Sequence, residues 1–400
     1  MSERLSTEVE RENARTALHA LFISADKKTL DPTTLEGAHM RDIASSLHEL
    51  SLLSRTNDSG VRIEHENNIW LYPVKIFLKF LWPFKAMSMA RRQLAWQGTF
   101  RPHLVVAGDP LGSGFAALQI ANRFKKRLYV VCPEDTFTLS FRFSSIKNFF
   151  LSYLSRYVLE RATLVEVPTA YIEGLLLTAI PALMGRTVII APFIDIERIT
   201  ALKRTQSEPL KLEGTFFRMI SPGPLVAPLR HDIAINVLER ISGTYGKTGL
   251  IFSGTGPERA RLEALARKKG LSKKVIFVSP ETNPMELYNF SHVALMPSDQ
   301  AEGGEEALIA LALSCPVVAS SVPLIEKTFG NLKYKHFICP RGDTECFVSR
   351  VKELMDNPGV REDYKLNARD MISQNFTRTR ADYVNERIDS WMKSLSFEII

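Results

Sequence analysis

Two stretches of the chain join residue types that could hold a phosphorylated ligand. In Ser298 to Pro323 (SDQAEGGEEALIALALSCPVVASSVP), a polar, glycine-containing loop runs from Ser298 to Gly304 after an apolar strand over Val293 to Pro297. The loop feeds a helix over roughly Glu305 to Ser314, apolar nearly all round, and Pro316 starts a strand, Val317 to Ser320. Strand, loop, helix and strand make a βαβ unit, whose loop lies at the carboxyl edge of a parallel sheet, the edge where open α/β folds take ligands. Unpaired N–H groups and the positive end of the helix dipole favour an anion there, such as a diphosphate. In the second stretch, Ser253-Gly254-Thr255-Gly256-Pro257 leaves a strand and enters a helix. Without side chains at Gly254 and Gly256 the backbone can come close to a phosphate or nucleotide, although a tight strand-to-helix turn alone would also call for glycine. Ser253, Gly254, Gly256, Ser298, Gly303 and Gly304 are therefore the candidate ligand contacts.

Other chemistries lack their residues. The chain has no GxSxG elbow, no GxxxxGK[ST] phosphate loop and no HExxH helix, and Gly108-Asp-Pro-Leu-Gly-Ser-Gly114 departs from GxGxxG. Cys132, Cys315, Cys339 and Cys346 show neither CxxC nor Cys/His ligand spacing. They are expected as reduced cytosolic thiols, with no metal site.

The elements that position these loops alternate between strand and helix. In the first half, strands are expected at His19 to Ala25, Glu49 to Arg55, His103 to Gly108, Arg127 to Cys132, Thr163 to Pro168 and Thr187 to Pro192. Helices fall at Ala38 to Leu47, Phe115 to Lys125, Ile146 to Ala162 and Ala170 to Leu183. Val61 to Val74 is extended and broken at Asn67-Asn68, and Ile76 to Trp96 is helical with a kink at Pro83. After the unpatterned connection Asp195 to Glu213, the alternation resumes with strands from Phe216, Thr248, Lys274, Val293, Val317 and Lys335. A helix capped by Asp343 or Thr344 and two further helices, Val360 to Gln374 and Thr379 to Leu395, finish the chain. The fold class is α/β, with two Rossmann-like, doubly wound domains at 1–200 and 201–376 facing across a cleft. Residues 377–400 form a helix that crosses back to the first domain.

Four hundred residues, 45% hydrophobic and 24% charged, suit two globular domains. The polar N-terminus shows no secretory signal, and no apolar run is long enough for a transmembrane helix, so a cytoplasmic protein is expected. The net charge of +7 is concentrated: Lys75 to Arg156 holds 13 Lys/Arg against 3 Asp/Glu. Within residues 72–92, aromatics and lysines interleave at near-helical spacing from Tyr72 to Lys85. That pattern fits either a core-facing amphipathic helix or peripheral contact with an anionic membrane surface. No nucleic-acid motif accompanies the basic region, so no nucleic acid partner is expected.

Leu250-Ile-Phe-Ser-Gly-Thr-Gly-Pro-Glu-Arg, Val275-Ile-Phe-Val, Leu295-Met-Pro-Ser298, Glu302-Gly303, Ala310 to Ala319 and Pro340-Arg-Gly-Asp343 together resemble the C-terminal domain of family 4 glycosyltransferases of the GT-B fold. The region His103 to Thr136 and Val188 to Glu197 are compatible with that family's first domain. The resemblance implies a retaining transfer of a sugar from a nucleotide-sugar donor, without metal or other cofactor, to a cell-envelope or polysaccharide acceptor at a membrane surface. It implies Glu302 as the residue holding the donor sugar. The sequence departs from the family at Ile309, where a ribose-binding glutamate is usual, at Pro224 and Leu229, where an Arg and a Lys flank the diphosphate, and at Pro133, where a His is usual. Arg230 is then either the cation available to the leaving phosphate or a solvated arginine at a helix start, and Glu305 or Glu306, one helical turn before Ile309, could reach the ribose. Both glutamates would equally suit a helix start as dipole-stabilising charges. Glu134 and Asp135 could meet acceptor hydroxyls or simply be solvated. The losses also leave open a non-catalytic relative acting as a binding or scaffolding subunit.

Overall fold

The computed structural model describes residues 15–396 apart from 58–61, 77–80, 97–101, 133–136, 138–145, 192, 194, 196–215, 279–283, 300–304, 323–324, 327–328, 330–332 and 376–378. The chain divides into two units, residues 1–192 with 379–400, and residues 193–378. Continuous apolar runs such as Leu104–Ala107 become strands buried along their whole length, as parallel sheets covered on both faces require.

The first unit contains β1 (His19–Ser24), β2 (Glu49–Thr56), β3 (Glu64–Glu66), β4 (Ile69–Lys75), β5 (Leu104–Ala107), β6 (Arg127–Val131), β7 (Leu164–Val167) and β8 (Thr187–Ile189). They pair in the order β3-β4-β2-β1-β5-β6-β7-β8, parallel except for β3 against β4. Its helices are α1 (Leu35–Ser45), α2 (Trp82–Trp96), α3 (Gly112–Phe124), α4 (Ile146–Glu160) and α5 (Ala170–Ala179). The second unit contains β9 (Phe217–Pro222), β10 (Thr248–Ser253), β11 (Val275–Val278), β12 (Val293–Met296), β13 (Val317–Ser320) and β14 (Ile338–Cys339), all parallel in the order β11-β10-β9-β12-β13-β14. Its helices are α6 (His231–Ser242), α7 (Arg259–Lys268), α8 (Pro284–Asn289), α9 (Glu305–Ala312), α10 (Thr344–Asp356) and α11 (Pro358–Asn375). The α/β, doubly wound class expected from the alternation is therefore present in both units. Winding reverses between β1 and β5 and between β9 and β12, and such a switch point opens a crevice at the carboxyl ends of the two strands.

Several local expectations are corrected. The extended stretch expected up to Val74, broken at Asn67-Asn68, is present as β3 and β4, so the aromatic and lysine pattern from Tyr72 is not one amphipathic helix: Tyr72 to Lys75 lies in β4, which pairs with β2 over seven positions and buries Tyr72 and Val74. Strand pairing satisfies the backbone and puts Tyr72 into the core, so this part of 72–92 offers no membrane-facing surface. Residues 77–80 lie outside the described residues. Pro83, where a kink was expected, lies at the start of the described helix. It sits in the first turn of α2, where its missing N–H has no helical partner to lose. The helix expected from Phe115 starts earlier, with Gly112-Ser-Gly114 forming the first turn of α3. Lys335 to Phe337 is a 3-10 turn, leaving only Ile338–Cys339 as strand. Cys339 and Cys346 are joined in a disulfide, which replaces the expectation of four reduced thiols; Cys132 and Cys315 are free and buried. The turn at Pro340 to Asp343 folds the chain back, and the Asp343 carboxylate caps α10 by accepting from the Cys346 N–H at 3.0 Å, which holds Cys346 beside the end of β14.

The last helix, α12 (Arg380–Ser396), belongs to the first unit, where Val384, Ile388 and Trp391 enter the core. Its polar side chains are also buried in partnership. The Arg387 guanidinium donates to Glu166 at 3.2 Å and to His39 Nε2 at 3.0 Å, and the Tyr129 hydroxyl donates to Glu166 at 2.9 Å. A guanidinium can only donate, so His39 Nε2 must accept and the imidazole is neutral. Burial and the Arg387 charge hold its pKa at about 3. The sign follows from linkage: an unfolded His binds its proton near pH 6.5 while the folded one does not, so this contribution is complete above pH 6.5 and is lost as pH falls from there toward about 3. Thermal melts are expected to show the melting temperature dropping below pH 6.5, with a shallower drop in His39→Gln, which keeps an acceptor but cannot titrate.

Candidate functional site

β9 and β12 pair at Met219 with Val293 and Ile220 with Ala294, then part at their carboxyl ends. A pocket opens there. Its floor is made by Ser221 and Pro222 from β9 and by Leu295, Met296, Pro297 and Ser298 from β12 and its exit. Leu229, His231, Glu306, Val322 and Ile325 complete the wall. Among the described residues the lining is largely aliphatic, with polar side chains at Ser221, His231, Ser298 and Glu306, the composition of a site for a ring with a polar edge.

The glycines of the second sequence stretch build this wall. A Cβ on Gly254 would lie 2.0 Å from the Gly223 carbonyl oxygen, and one on Gly256 would lie 2.2 Å from that of Leu225. The close approach they permit is made to the chain's own β9–α6 loop. That loop is stitched to the β10–α7 loop by the Gly223 N–H donating to the Ser253 carbonyl at 3.0 Å and the Leu225 N–H donating to the Thr255 carbonyl at 2.9 Å. Gly223 has φ +100°, and a side chain there would meet the Glu306 carboxylate, whose Oε1 lies 3.2 Å from the Cβ position.

His231 begins α6 and is buried. Its Nε2 lies 3.1 Å from the Pro224 carbonyl oxygen, which can only accept, so Nε2 carries the proton; Nδ1 then accepts from the Ser221 hydroxyl at 2.8 Å. Burial lowers its pKa and keeps this neutral tautomer. The ring thereby fixes both the end of β9 and the loop after it.

Glu306 stands in the first turn of α9 with its carboxyl in the pocket, where burial raises its pKa above the ordinary carboxylate range. Beneath it, the buried Tyr288 hydroxyl donates to the Glu306 carbonyl at 3.4 Å. The neighbouring Glu305 side chain, and Glu302, Gly303 and Gly304, lie outside the described residues, as do Pro133, Glu134 and Asp135 of the first unit. Ile309 sits one turn along α9, partly buried.

Arg230 is not the free cation expected. It occupies the left-handed region at φ 49° and does not line the pocket. Its Nη1 donates to Asp299 at 2.7 Å, and Nε and Nη2 donate to Asp232 at 3.2 and 3.3 Å. These two carboxylates raise its pKa further. The ion pair with Asp299, and the Asp299 N–H donating to the Pro228 carbonyl at 2.8 Å, tie the β9–α6 loop to the exit of β12. Arg230 thus positions the two loops that shape the pocket.

Of the residues singled out in the sequence, Ser298 and Glu306 line the pocket, Ser253, Gly254 and Gly256 support its wall, and Arg230 braces its loops. His231 was not singled out. The signal available was a histidine directly after a βα-loop in Pro228-Leu-Arg-His-Asp232, at the start of a helix whose apolar face begins at once.

Residues 203–371 match the family model described as glycosyl transferases group 1. An uncharacterized glycosyltransferase of Methanocaldococcus jannaschii is 22% identical over 271 residues, 64% of each chain, so the chain spans less than two thirds of that relative. Among solved structures, sucrose-phosphate synthase of Thermosynechococcus elongatus superposes with a TM-score of 0.71 at 16% identity, covering 94% of this chain and 99% of that one. The HepE protein of Anabaena in complex with UDP-glucose superposes at 0.66 and 15% identity, covering 94% and 100%. The two doubly wound sheets and these superpositions make the fold GT-B, and the segment that matches the glycosyl transferases group 1 model lies within the second unit.

Proposed function

We propose that the pocket between the ends of β9 and β12 receives a nucleotide-sugar, and that the protein is a retaining glycosyltransferase passing a hexosyl group to a cell-envelope or polysaccharide acceptor. In that reaction an acceptor oxygen bonds to the anomeric carbon as the bond from that carbon to the diphosphate breaks. The electron pair leaves with the nucleoside diphosphate, which also takes up the acceptor's proton. The observation that carries the reading is the Glu306 carboxyl set in an apolar pocket at the switch point, within the segment that matches the group 1 family. A carboxylate in that place can accept both hydroxyls of a ribose or sugar diol, a role that Ile309 cannot fill. The α9 N-terminus beside it suits the diphosphate charge. Arg230 would assist only by exchanging Asp299 for phosphate, and its main effect is on loop placement.

Calorimetric titration with UDP-, GDP- and ADP-sugars tests this. One nucleotide class is expected to bind between about 1 μM and 1 mM, the usual range for enzyme substrates. Absence of binding by all three at millimolar concentration would overturn the donor-site reading. Binding without sugar release to water or to any acceptor would leave a nucleotide-sugar binding protein.

A further inference from the structure

Helix α4 of the first unit is turned inside out. Its buried positions, Ser152, Ser155, Val158 and Leu159, include two serines, whereas Ile146, Phe149, Phe150, Tyr153 and Tyr157 are exposed. Exposure reaches 84% at Ile146 and 68% at Phe150. The exposed positions follow one another at intervals of 3, 1, 3 and 4 residues, so they form a single stripe along the helix, opposite the buried one. The rings support each other edge to face: Phe149 lies 5.6 Å from Phe150 and 5.2 Å from Tyr153, and the Arg161 guanidinium sits 3.9 Å over Tyr157. A stripe of five large apolar side chains is far more than the scattered hydrophobics a soluble surface normally shows.

Charge decides what covers it. Lys147, Arg156 and Arg161 flank the stripe, and the acidic residue of the helix, Glu160, is held by Arg156 at 2.8 Å. Arg161 also approaches Glu160, at 3.9 Å, so the helix and its flank carry three basic residues against one acidic; along the sequence, Lys75 to Arg156 has 13 basic against 3 acidic residues. A second copy of the chain docked through this face about a two-fold axis would bring the same basic residues against one another. An anionic bilayer meets both halves of the pattern: aromatic rings enter the headgroup and acyl boundary while lysine and arginine meet lipid phosphate. Among the described residues, no helix is long and apolar enough to cross a membrane, so such contact is made lying on the surface. We infer that the exposed face of α4 is a docking surface for an anionic lipid bilayer. This inference stands on the first unit alone and does not depend on the donor-site reading.

Co-sedimentation of the full chain with vesicles tests it, using phosphatidylcholine alone or mixed with phosphatidylglycerol. The protein is expected to pellet with the anionic vesicles at least about tenfold more strongly than with the zwitterionic ones, and added salt should reduce the difference. The variant Phe149→Ser/Phe150→Ser/Tyr153→Ser should lose binding about tenfold or more while its circular dichroism stays unchanged, since the side chains removed face solvent. Lys147→Glu/Arg156→Glu, which keeps the aromatic stripe, should lose the anionic preference. No pelleting with anionic vesicles would overturn the proposal, as would undiminished pelleting of a folded triple-serine variant. A dimer dissolved by the triple substitution, with no vesicle binding, would assign the face to a second copy instead.

Discussion

Replacing Glu306 by alanine is expected to weaken nucleotide-sugar binding roughly 10- to 100-fold, the loss of about 1.5–3 kcal/mol that accompanies removal of a hydrogen bond to a charged group. The size follows from placement. The carboxyl stands among aliphatic side chains, where a ligand hydroxyl left without its partner cannot fall back on bulk water. Because burial raises the pKa of Glu306, its ionised form is lost at a higher pH than for an ordinary glutamate. Donor affinity should therefore decline as pH falls through that raised value. Glu306→Gln keeps a side-chain acceptor of the same length and is expected to retain more affinity than the alanine variant, with the acid limb of the profile flattened. Titration calorimetry of the three proteins at several pH values checks this, and an unchanged affinity in Glu306→Ala would remove the carboxyl from the donor site while leaving the fold assignment intact.

Trp391→Ala is expected to destabilise the first unit by about 3–5 kcal/mol, the range for truncating a large core aromatic. Trp391 is fully buried, with Phe22 and Tyr129 rings at 6.3 and 6.2 Å, and lies in the middle of the only segment that returns to the first unit after the second is complete. The cavity left would sit beside the Tyr129, Glu166, Ser390 and Arg387 network, so the loss reaches polar partners as well as packing. Its indole N–H is buried without a hydrogen-bond partner, so replacement forfeits no hydrogen bond of its own, and the effect starts from lost volume and contact. Trp391→Phe should recover much of the loss. Denaturant unfolding followed by circular dichroism measures it. Donor binding in the second unit should persist in the variant under native conditions, which separates this effect from that of Glu306.

Much of the fold was legible because parallel strands and their helices write their burial into composition. β9, β10, β12 and β13 lie within a residue or two of the apolar runs that marked them, and α9 begins at Glu305 as its loop implied. The extended stretch to Val74, broken at Asn67-Asn68, was legible too, although the aromatics and lysines from Tyr72 onward have a spacing that a helix face and a strand can share over so short a run; pairing with β2 carries the strand through Lys75. The two cysteines separated by seven positions carried no pattern, because what brings them together is the backbone turn after β14 and not their spacing.

The candidate site divides along the same line. The sequence by itself determined that a βαβ loop and a GTGP turn lie at the carboxyl edge of one parallel sheet, because strand order and loop position follow from local periodicity. Only the tertiary structure decided what each residue there does. Gly254 and Gly256 proved to be required by carbonyl groups of a neighbouring loop, and Arg230 by two carboxylates, Asp232 and Asp299, the second 69 residues away in sequence. Glu306 became distinct from an ordinary helix-start glutamate when the fold placed its carboxyl beside Gly223, and α4 became distinct from an ordinary core helix when its serines, not its aromatics, turned inward. Periodicity reports that a face exists; which way it points is fixed by packing between segments far apart in the chain.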